Sequence, residues 1–240
     1  MLGSYGAGAF DESAAEIVAF HADSKRILTV NALSGKIDVL DAADPAKPTK
    51  VGEVSGGENT TINSVAVRND GLAVATVEPE NKTDAGELIF FDAGADTPGT
   101  VLGRVGVGAL PDMVTITPEG DYALVANEGE PAEDYSVDPE GSVAVVKLPA
   151  SVEAATQADV RTADFRTFEG TLADKGVHIY GQVGASTTEA QNLEPEYIAV
   201  SGGKAYVTLQ ENNAVAVVDI ATATVDDVWP LGYTDRREVP

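Results

Sequence analysis

A repeat constrains this chain more than any other feature of its sequence. Similar segments begin at residues 16, 63 and 112, which is every 47 to 49 residues, and a fourth begins at residue 196. Each segment holds short runs rich in Val, Ile and Thr, separated by turns that contain Gly, Asn, Asp or Ser. Such runs are typical of β-strands, and Gly, Asn and Asp supply the positive φ of tight hairpins. Four antiparallel strands at this spacing predict the blades of a β-propeller.

The repeat therefore predicts an all-β chain in which residues 1–240 form one propeller domain or part of one. We place the four blade-like, four-stranded antiparallel units at residues 14–55, 61–106, 110–165 and 194–232, with an insert at 166–193. An all-β sandwich with similar strand spacing is the alternative. The turns recur at matching positions as well as the strands, and this favours the propeller.

Composition excludes several classes of function. Lys and Arg number 15 and Asp and Glu number 39, so the formal net charge is −24. A chain with so few clustered cations is not expected to bind nucleic acid or an anionic membrane surface. It has no Cys and two His, which excludes thiol chemistry and His-rich metal motifs. No apolar stretch reaches the ~18–20 residues that span a bilayer, so we expect no membrane insertion.

Polar residues recur at the same two positions of every unit. In each unit, the first strand is predicted to begin, and the second strand to end, with an acidic or an amide residue. A hairpin places the start of its first strand beside the end of its second. All eight residues are then expected at one end of the central channel, which we call the mouth: Glu16, Asn63, Asp112, Glu196, Asn31, Glu78, Asn127 and Gln210. Ordinary solvation of strand ends is the alternative interpretation.

An acidic loop after the second strand of the third unit, residues 127–140, adds further carboxylates. Crowded carboxylates repel one another unless a cation or a proton intervenes, and Ca²⁺ favours carboxylate and carbonyl oxygens. We therefore predict a divalent cation, with Ca²⁺ as the best fit. Its ligands are expected from among Asp112, Glu128, Glu130, Asp134, Asp138, Glu140, Glu194, Glu196 and Glu211. A solvated acidic loop is the alternative, and the spacing does not match an EF-hand.

Eight short motifs stand out along the chain: Ala15–Ala19, Val30–Ala32, Asn63–Val67, Gly108–Met113, Leu124–Pro131, Asp138–Val143, Leu193–Ile198 and Leu209–Ala214. Together they resemble the choice-of-anchor I domain family, and the resemblance covers nearly all of residues 3–233. It implies a secreted bacterial β-propeller, similar to the mesenchyme-specific cell-surface glycoprotein and located in the periplasm, at the cell surface or outside the cell. Some relatives carry the label alkaline phosphatase.

Blade number is where this chain departs from the family. Family members resemble propellers of about seven blades, whereas this sequence holds four units. We expect part of a larger propeller, completed by a second chain or segment. A closed four-bladed propeller, with Gly3–Phe10 as the closing strand, is the alternative. A partial propeller would expose two apolar blade sides, which should drive assembly or aggregation.

Three functions are compatible with these features. The first is a binding or scaffold module whose mouth holds a cation and, through it, a protein or glycan ligand. The second is a metal-dependent phosphoester hydrolase in which Asp112, Glu128, Glu130 and Glu196 hold the metal. Against it, no Lys or Arg occupies the aligned mouth positions, and no catalytic residue can be assigned. The third is a structural surface domain without a site.

Overall fold

The computed structural model describes residues 2–8, 11, 14–181 and 187–233. In these residues the chain forms four four-stranded sheets. The first two sheets contain β1 (Val18–His21), β2 (Arg26–Asn31), β3 (Lys36–Asp41), β4 (Thr49–Val54), β5 (Thr60–Val67), β6 (Leu72–Pro79), β7 (Ala85–Asp92) and β8 (Val101–Ala109). The other two contain β9 (Pro111–Ile116), β10 (Tyr122–Asn127), β11 (Ser142–Lys147), β12 (Val160–Ala163), β13 (Pro195–Ser201), β14 (Lys204–Leu209), β15 (Ala214–Asp219) and β16 (Thr224–Pro230).

Each sheet is a meander in which strands that follow one another in the sequence pair antiparallel. The turn from β5 to β6 shows why the sequence folds this way. Gly71 has a φ of 101°, which a side chain would strain, and the Asp70 carboxylate accepts the Leu72 backbone N–H at 3.2 Å. The segment between β12 and β13 adds the one-turn helix α1 (Leu172–Lys175). The predicted all-β fold with four blade-like units is thereby confirmed.

Packing between successive sheets produces three apolar cores in the described part of the chain. Alternate residues of a strand face opposite sides of its sheet, so each middle sheet contributes to two cores. In β6, Leu72 and Val74 pack toward the third unit, whereas Ala73 and Ala75 pack toward the first. Face-to-face stacking of twisted four-stranded sheets is the arrangement of propeller blades.

The inner strands β1, β5, β9 and β13 contact one another in that order. Within the described ranges, no contact of comparable extent joins β1 to β13, and no core joins the fourth unit to the first. Residues 2–8 contain no strand, and Phe10 of the closing strand considered above lies outside the described residues. The four units therefore form an open arc.

At the end opposite the mouth, two side chains fasten neighbouring units together. His21 is buried and places Nδ1 2.7 Å from Ser24 Oγ and Nε2 3.1 Å from the Asn69 carbonyl oxygen of the second unit. Arg68 donates to carbonyl oxygens of the third unit, with Nη1 2.7 Å from that of Pro149. Both are structural links between sheets.

Candidate acidic site at the mouth

The third unit places two carboxylates side by side. In the register of β9 and β10, Ala126 lies opposite Met113 and Asn127 opposite Pro111, so Asp112 occupies a β-bulge next to the end of β10. Glu128 follows directly after that end, and the Asp112 charge acts on it. The Glu128 N–H donates to the Leu110 carbonyl at 2.9 Å and holds the start of the acidic loop against β9. Burial raises the pKa of Asp112, and the nearby carboxylates Glu78 and Glu130 raise it further.

Gly141 brings the fourth unit close to this loop. A Cβ on residue 141 would lie 1.9 Å from the Leu193 carbonyl oxygen and 3.1 Å from that of Glu128. Any side chain there would separate the two backbones. The absence of a side chain thus allows Glu128 and Glu194 to reach the same region.

Glu128 lies at the centre of the assembled charges. Its pKa is raised to about 8, first by burial and then by Glu130, Asp112, Glu194 and Glu196. A buried carboxyl among like charges ionises only at a high free-energy cost. Without a cation, this carboxyl therefore holds a proton at neutral pH.

The fourth unit contributes a carboxyl pair. Burial raises the pKa of Glu196 to about 7, and the hydrogen bond and repulsion from Glu211 add to the shift. Burial also raises the pKa of Glu194, while the hydrogen bond with the Tyr180 side chain opposes that shift. The Glu196 carboxyl thus keeps its proton to a higher pH than an isolated glutamate does.

The second unit supplies a cation as well as carboxylate. Asn63 Nδ2 donates to Glu78 Oε2 at 3.0 Å, and this hydrogen bond orients the carboxylate. Lys82 Nζ lies 2.5 Å from Glu130 Oε2. The pKa of Lys82 is raised by this contact, with smaller contributions from Glu128 and Glu78. Lys82 neutralises part of the charge on this side of the mouth.

The insert reaches the mouth because Asn212 fastens it to the fourth unit. Asn212 is fully buried, its Nδ2 donates to the carbonyls of His178 and Asn192 at 3.0 and 2.6 Å, and its Oδ1 accepts the Glu194 N–H at 3.3 Å. Tyr180 is thereby held beside Glu194. The sequence prediction missed Tyr180, Lys82 and Asn212, of which Asn212 alone fell within a recognised motif, Leu209–Ala214.

Seven of the nine predicted metal ligands belong to this cluster, in which each carboxylate has a raised pKa or raises that of a neighbour. They are Asp112, Glu128, Glu130, Asp138, Glu194, Glu196 and Glu211. Two are engaged elsewhere. Asp134 is exposed, and its pKa is lowered by a hydrogen bond from the Ser136 side chain and by one from the Ser136 N–H at 3.0 Å. Glu140 Oε2 accepts a hydrogen bond from Arg166 Nε at 2.7 Å.

The remaining mouth positions behave differently from one another. Asn31 is buried, and its Nδ2 donates to Asp38 Oδ2 at 3.3 Å, which is a structural contact inside the first unit. Gln210 is exposed in the turn after β14. Glu16 donates its backbone N–H to the Val30 carbonyl at 3.2 Å, which places its backbone at the mouth end of the first unit. The cluster is therefore built mainly by the second, third and fourth units.

Two buried oxygens beside the cluster lack a hydrogen-bond donor among the described residues. Asn127 is fully buried and donates from Nδ2 to Ser142 Oγ at 3.2 Å, but its Oδ1 has no partner, and neither does Asp138 Oδ1. Unsatisfied buried acceptors are costly and uncommon in native proteins. Across the described ranges, no three His, Asp or Glu side chains stand close enough to hold a metal ion. The site is rich in acceptors but is not a preformed cage.

Comparison with known proteins identifies the family. The sequence model of the choice-of-anchor I domain matches residues 16–239. Domains of this family occur on secreted or cell-surface bacterial proteins. A search of the curated proteins found no match. None of the described helices is long and apolar enough to cross a membrane.

The solved structures similar to this chain include a β-propeller domain, and those compared below are longer than this chain. Hydrazine synthase of Kuenenia stuttgartiensis matches with a TM-score of 0.57 and 17% identity over 94% of this chain and 52% of its own. The Cps50 (Swd1) β-propeller domain of Myceliophthora thermophila matches with a TM-score of 0.56 and 10% identity over 94% and 58%. Streptogramin B lyase matches with a TM-score of 0.55 and 12% identity over 93% and 56%. The chain spans little more than half the length of each, and the likeness concerns the fold alone.

Proposed function

Because the chain belongs to the choice-of-anchor I domain family, we propose that it is the binding module of a secreted or cell-surface bacterial protein. In this proposal the mouth takes up a divalent cation, with Ca²⁺ as the best fit, and through it a protein or glycan ligand. The observation that supports it most strongly is the environment of the Glu128 carboxyl, whose pKa is raised to about 8 by burial and by four further carboxylates.

The charge balance of the mouth favours a cation. Asp112, Glu128, Glu194 and Glu196 all have raised pKa values, and Lys82 is the cation that offsets them on the side of the second unit. A bound Ca²⁺ would relieve their repulsion in place of protons. The two unpartnered oxygens, on Asn127 and Asp138, are of the type that Ca²⁺ accepts as ligands.

Flexible geometry favours Ca²⁺ over Mg²⁺. Because no three acidic side chains converge within the described part of the chain, the ligands must rotate to reach a common ion. Ca²⁺ tolerates six to eight oxygen ligands at variable positions, whereas Mg²⁺ requires a near-ideal octahedron and retains several waters. The glycine at residue 129, with a φ of 73°, lies in the loop whose side chains would have to move.

Calorimetric titration of CaCl₂ into chelator-treated protein tests the proposal. We expect saturable heat with the wild type, weaker binding with Glu128→Gln, and unchanged binding with Glu133→Gln, a matched loss of charge on an exposed residue of the same loop. If the wild type gives no heat and no shift in melting temperature with Ca²⁺, Mg²⁺ or Mn²⁺, the cation proposal is wrong. A structural surface domain would then be the better interpretation.

A metal-dependent phosphoester hydrolase is the second candidate, and the position of Lys82 favours it. Its ammonium group lies at the mouth, where it could contact a phosphate oxygen beside a metal ion. Turnover of p-nitrophenyl phosphate that requires a divalent metal and disappears in both Glu128→Gln and Lys82→Met would support the enzyme. No turnover across a panel of divalent metals would support the binding module.

A further inference from the structure

The inner strands of three units carry the same irregularity at the mouth. In β5 the pairing with β6 shifts by one residue, so that Asn63 and Ser64 together lie opposite Thr76. In β9 the shift falls at Asp112, and in β13 it spans Glu196. A β-bulge of this kind bends its strand and redirects a side chain, and bulges are common beside active sites. Each of the three bulges contains a polar residue that the repeat assigns to the mouth.

The first unit provides the comparison. β1 and β2 pair in one register over the whole of Val18–His21. The Val30 N–H donates to the Ile17 carbonyl at 2.8 Å and extends this pairing toward the mouth. Within the described residues, no register shift interrupts the pair. The three units that have a bulge are therefore the same three that build most of the acidic cluster.

A buried threonine hydroxyl holds the bulge of the second unit. The Ser64 N–H donates to Thr76 Oγ1 at 3.0 Å, and both residues are buried. A bulge disrupts the ladder locally, and a buried N–H without an acceptor is costly. The fourth unit has the same arrangement, since the Tyr197 N–H donates to Thr208 Oγ1 at 3.0 Å. The hydroxyl on the second strand is thus part of the bulge in both units.

The bulge of the second unit also holds the inner strand of the third. Asn63 Nδ2 donates to the Pro111 carbonyl at 3.4 Å. Ser64 Oγ accepts the Val114 N–H at 3.1 Å. These two hydrogen bonds lie on either side of Asp112 in the sequence, so the backbone that carries the Asp112 carboxylate is fixed from the neighbouring unit.

The third unit has no hydroxyl of its own for this purpose. Ala126 takes the position of Thr76, because each lies opposite the bulge of its own unit. Asn63 of the second unit also donates to Glu78 Oε2 at 3.0 Å and so orients a second carboxylate. The charge of Glu78 acts on Asp112, which shows that the two carboxylates belong to one region of the mouth.

We infer that Thr76 and Ser64 are positioning residues of the cation site. The Thr76 hydroxyl holds the bulge of the second unit. Through its two hydrogen bonds with the third unit this bulge keeps Asp112 in place, and through Asn63 it orients Glu78. Side chains that hold a metal ligand contribute to metal affinity although they do not touch the ion. Thr76 and Ser64 are 0% and 2% exposed, so they act from inside the sheet.

This inference rests on the proposed cation site, and calorimetric titration of CaCl₂ into chelator-treated variants tests it. Thr76→Val keeps the shape of the side chain and removes its hydroxyl, whereas Ser64→Ala removes only the link to Val114. Each should raise the dissociation constant for Ca²⁺ about 10-fold. Thr76→Ser retains the hydroxyl and should bind Ca²⁺ as the wild type does.

Thr117→Val is the matched control. Thr117 is 5% exposed, and its Oγ1 accepts the Tyr122 N–H at 3.2 Å at the end of the third unit opposite the mouth. This variant loses the same kind of buried hydrogen bond and should lower the urea midpoint without changing the affinity for Ca²⁺. The inference is wrong if Thr117→Val weakens Ca²⁺ binding as much as Thr76→Val does. It is also wrong if folded Thr76→Val binds as tightly as the wild type.

A second measurement separates this inference from the cation proposal. In the metal-free protein at one pH, the NMR resonance of the Asp112 carboxyl carbon should shift in Thr76→Val and Ser64→Ala. It should keep its wild-type position in Thr76→Ser and Thr117→Val. A wild type that binds no cation would refute the cation proposal, while these shifts would still show that the bulge holds Asp112.

An unchanged Asp112 resonance in Thr76→Val would overturn the positioning role whether or not Ca²⁺ binds. Urea unfolding shows which variants are folded. If Thr76→Val does not fold, Ser64→Ala decides by the same two measurements.

Discussion

Substitution of Glu128 by Gln should make the stability of the protein less dependent on pH. Glu128 has a pKa of about 8 in the folded protein, compared with 4.5 for an unperturbed side chain. Between these values the folded state holds more protons than the unfolded state, so stability falls as pH rises from 4.5 to 8. Gln resembles the protonated carboxyl in shape and charge, and it removes this dependence.

The size of the effect follows from the pKa difference. A change from 4.5 to about 8 at roughly 1.4 kcal/mol per pH unit corresponds to an upper value of roughly 5 kcal/mol. Glu128 is only partly buried, and solvent screening reduces the interaction, so we expect about 2 kcal/mol. When the pH rises from 5.5 to 8.5, the free energy of unfolding should therefore fall by about 2 kcal/mol less in Glu128→Gln than in the wild type.

Urea unfolding followed by circular dichroism at one protein concentration provides the measurement. Glu133→Gln serves as the control, because it removes the same charge from an exposed position and should follow the wild-type pH dependence. Saturating Ca²⁺ should restore stability to the wild type at pH 8.5, by about 2.7 kcal/mol at 100 times the dissociation constant. If Glu128→Gln and the wild type lose stability in parallel over this pH range, the electrostatic account of the mouth is wrong.

Three further substitutions test the contacts that support the site. Lys82→Met removes the partner of Glu130 and should strengthen Ca²⁺ binding in calorimetry while lowering stability by about 0.5–1 kcal/mol at pH 8; weaker binding would contradict the role of Lys82 as a competing cation. Gly141→Ala places a methyl group against the Leu193 carbonyl and should cost about 3 kcal/mol or more in urea unfolding; a neutral result would mean that the loop has room to move. Arg68→Ala removes three donor contacts to carbonyls of the third unit and should cost about 2–3 kcal/mol; an unchanged urea midpoint would show that the sheets do not depend on this link.

The fold could be predicted because its information is local and repeated. Runs of alternating apolar residues and glycine-containing turns specify each hairpin, and four copies at one spacing specify the stacked sheets. The sequence favoured part of a larger propeller but still allowed a closing strand at the N-terminus. The observation that distinguishes the two is a tertiary one: within the described ranges, β1 and β13 do not pack against each other as neighbouring inner strands do.

The site could be predicted only in part. Asp112 and Glu196 occupy equivalent positions of the repeat, so alignment of the units was enough to find them. Lys82 and Tyr180 lie outside the repeat positions and reach the mouth through tertiary contacts. Glu140 was expected at the site, but Arg166, 26 residues later in the chain, binds its carboxylate, and no local pattern indicates that pairing.

Anomalous diffraction from crystals soaked in a terbium salt tests the central claim most directly. Tb³⁺ replaces Ca²⁺ at oxygen-rich sites, and its anomalous signal locates the ion. The account predicts a peak about 2.3–2.6 Å from carboxylate oxygens of Glu128 and at least one of Asp112, Glu194 and Glu196. A crystal with strong peaks only at other acidic surfaces, and none at the mouth, would contradict it.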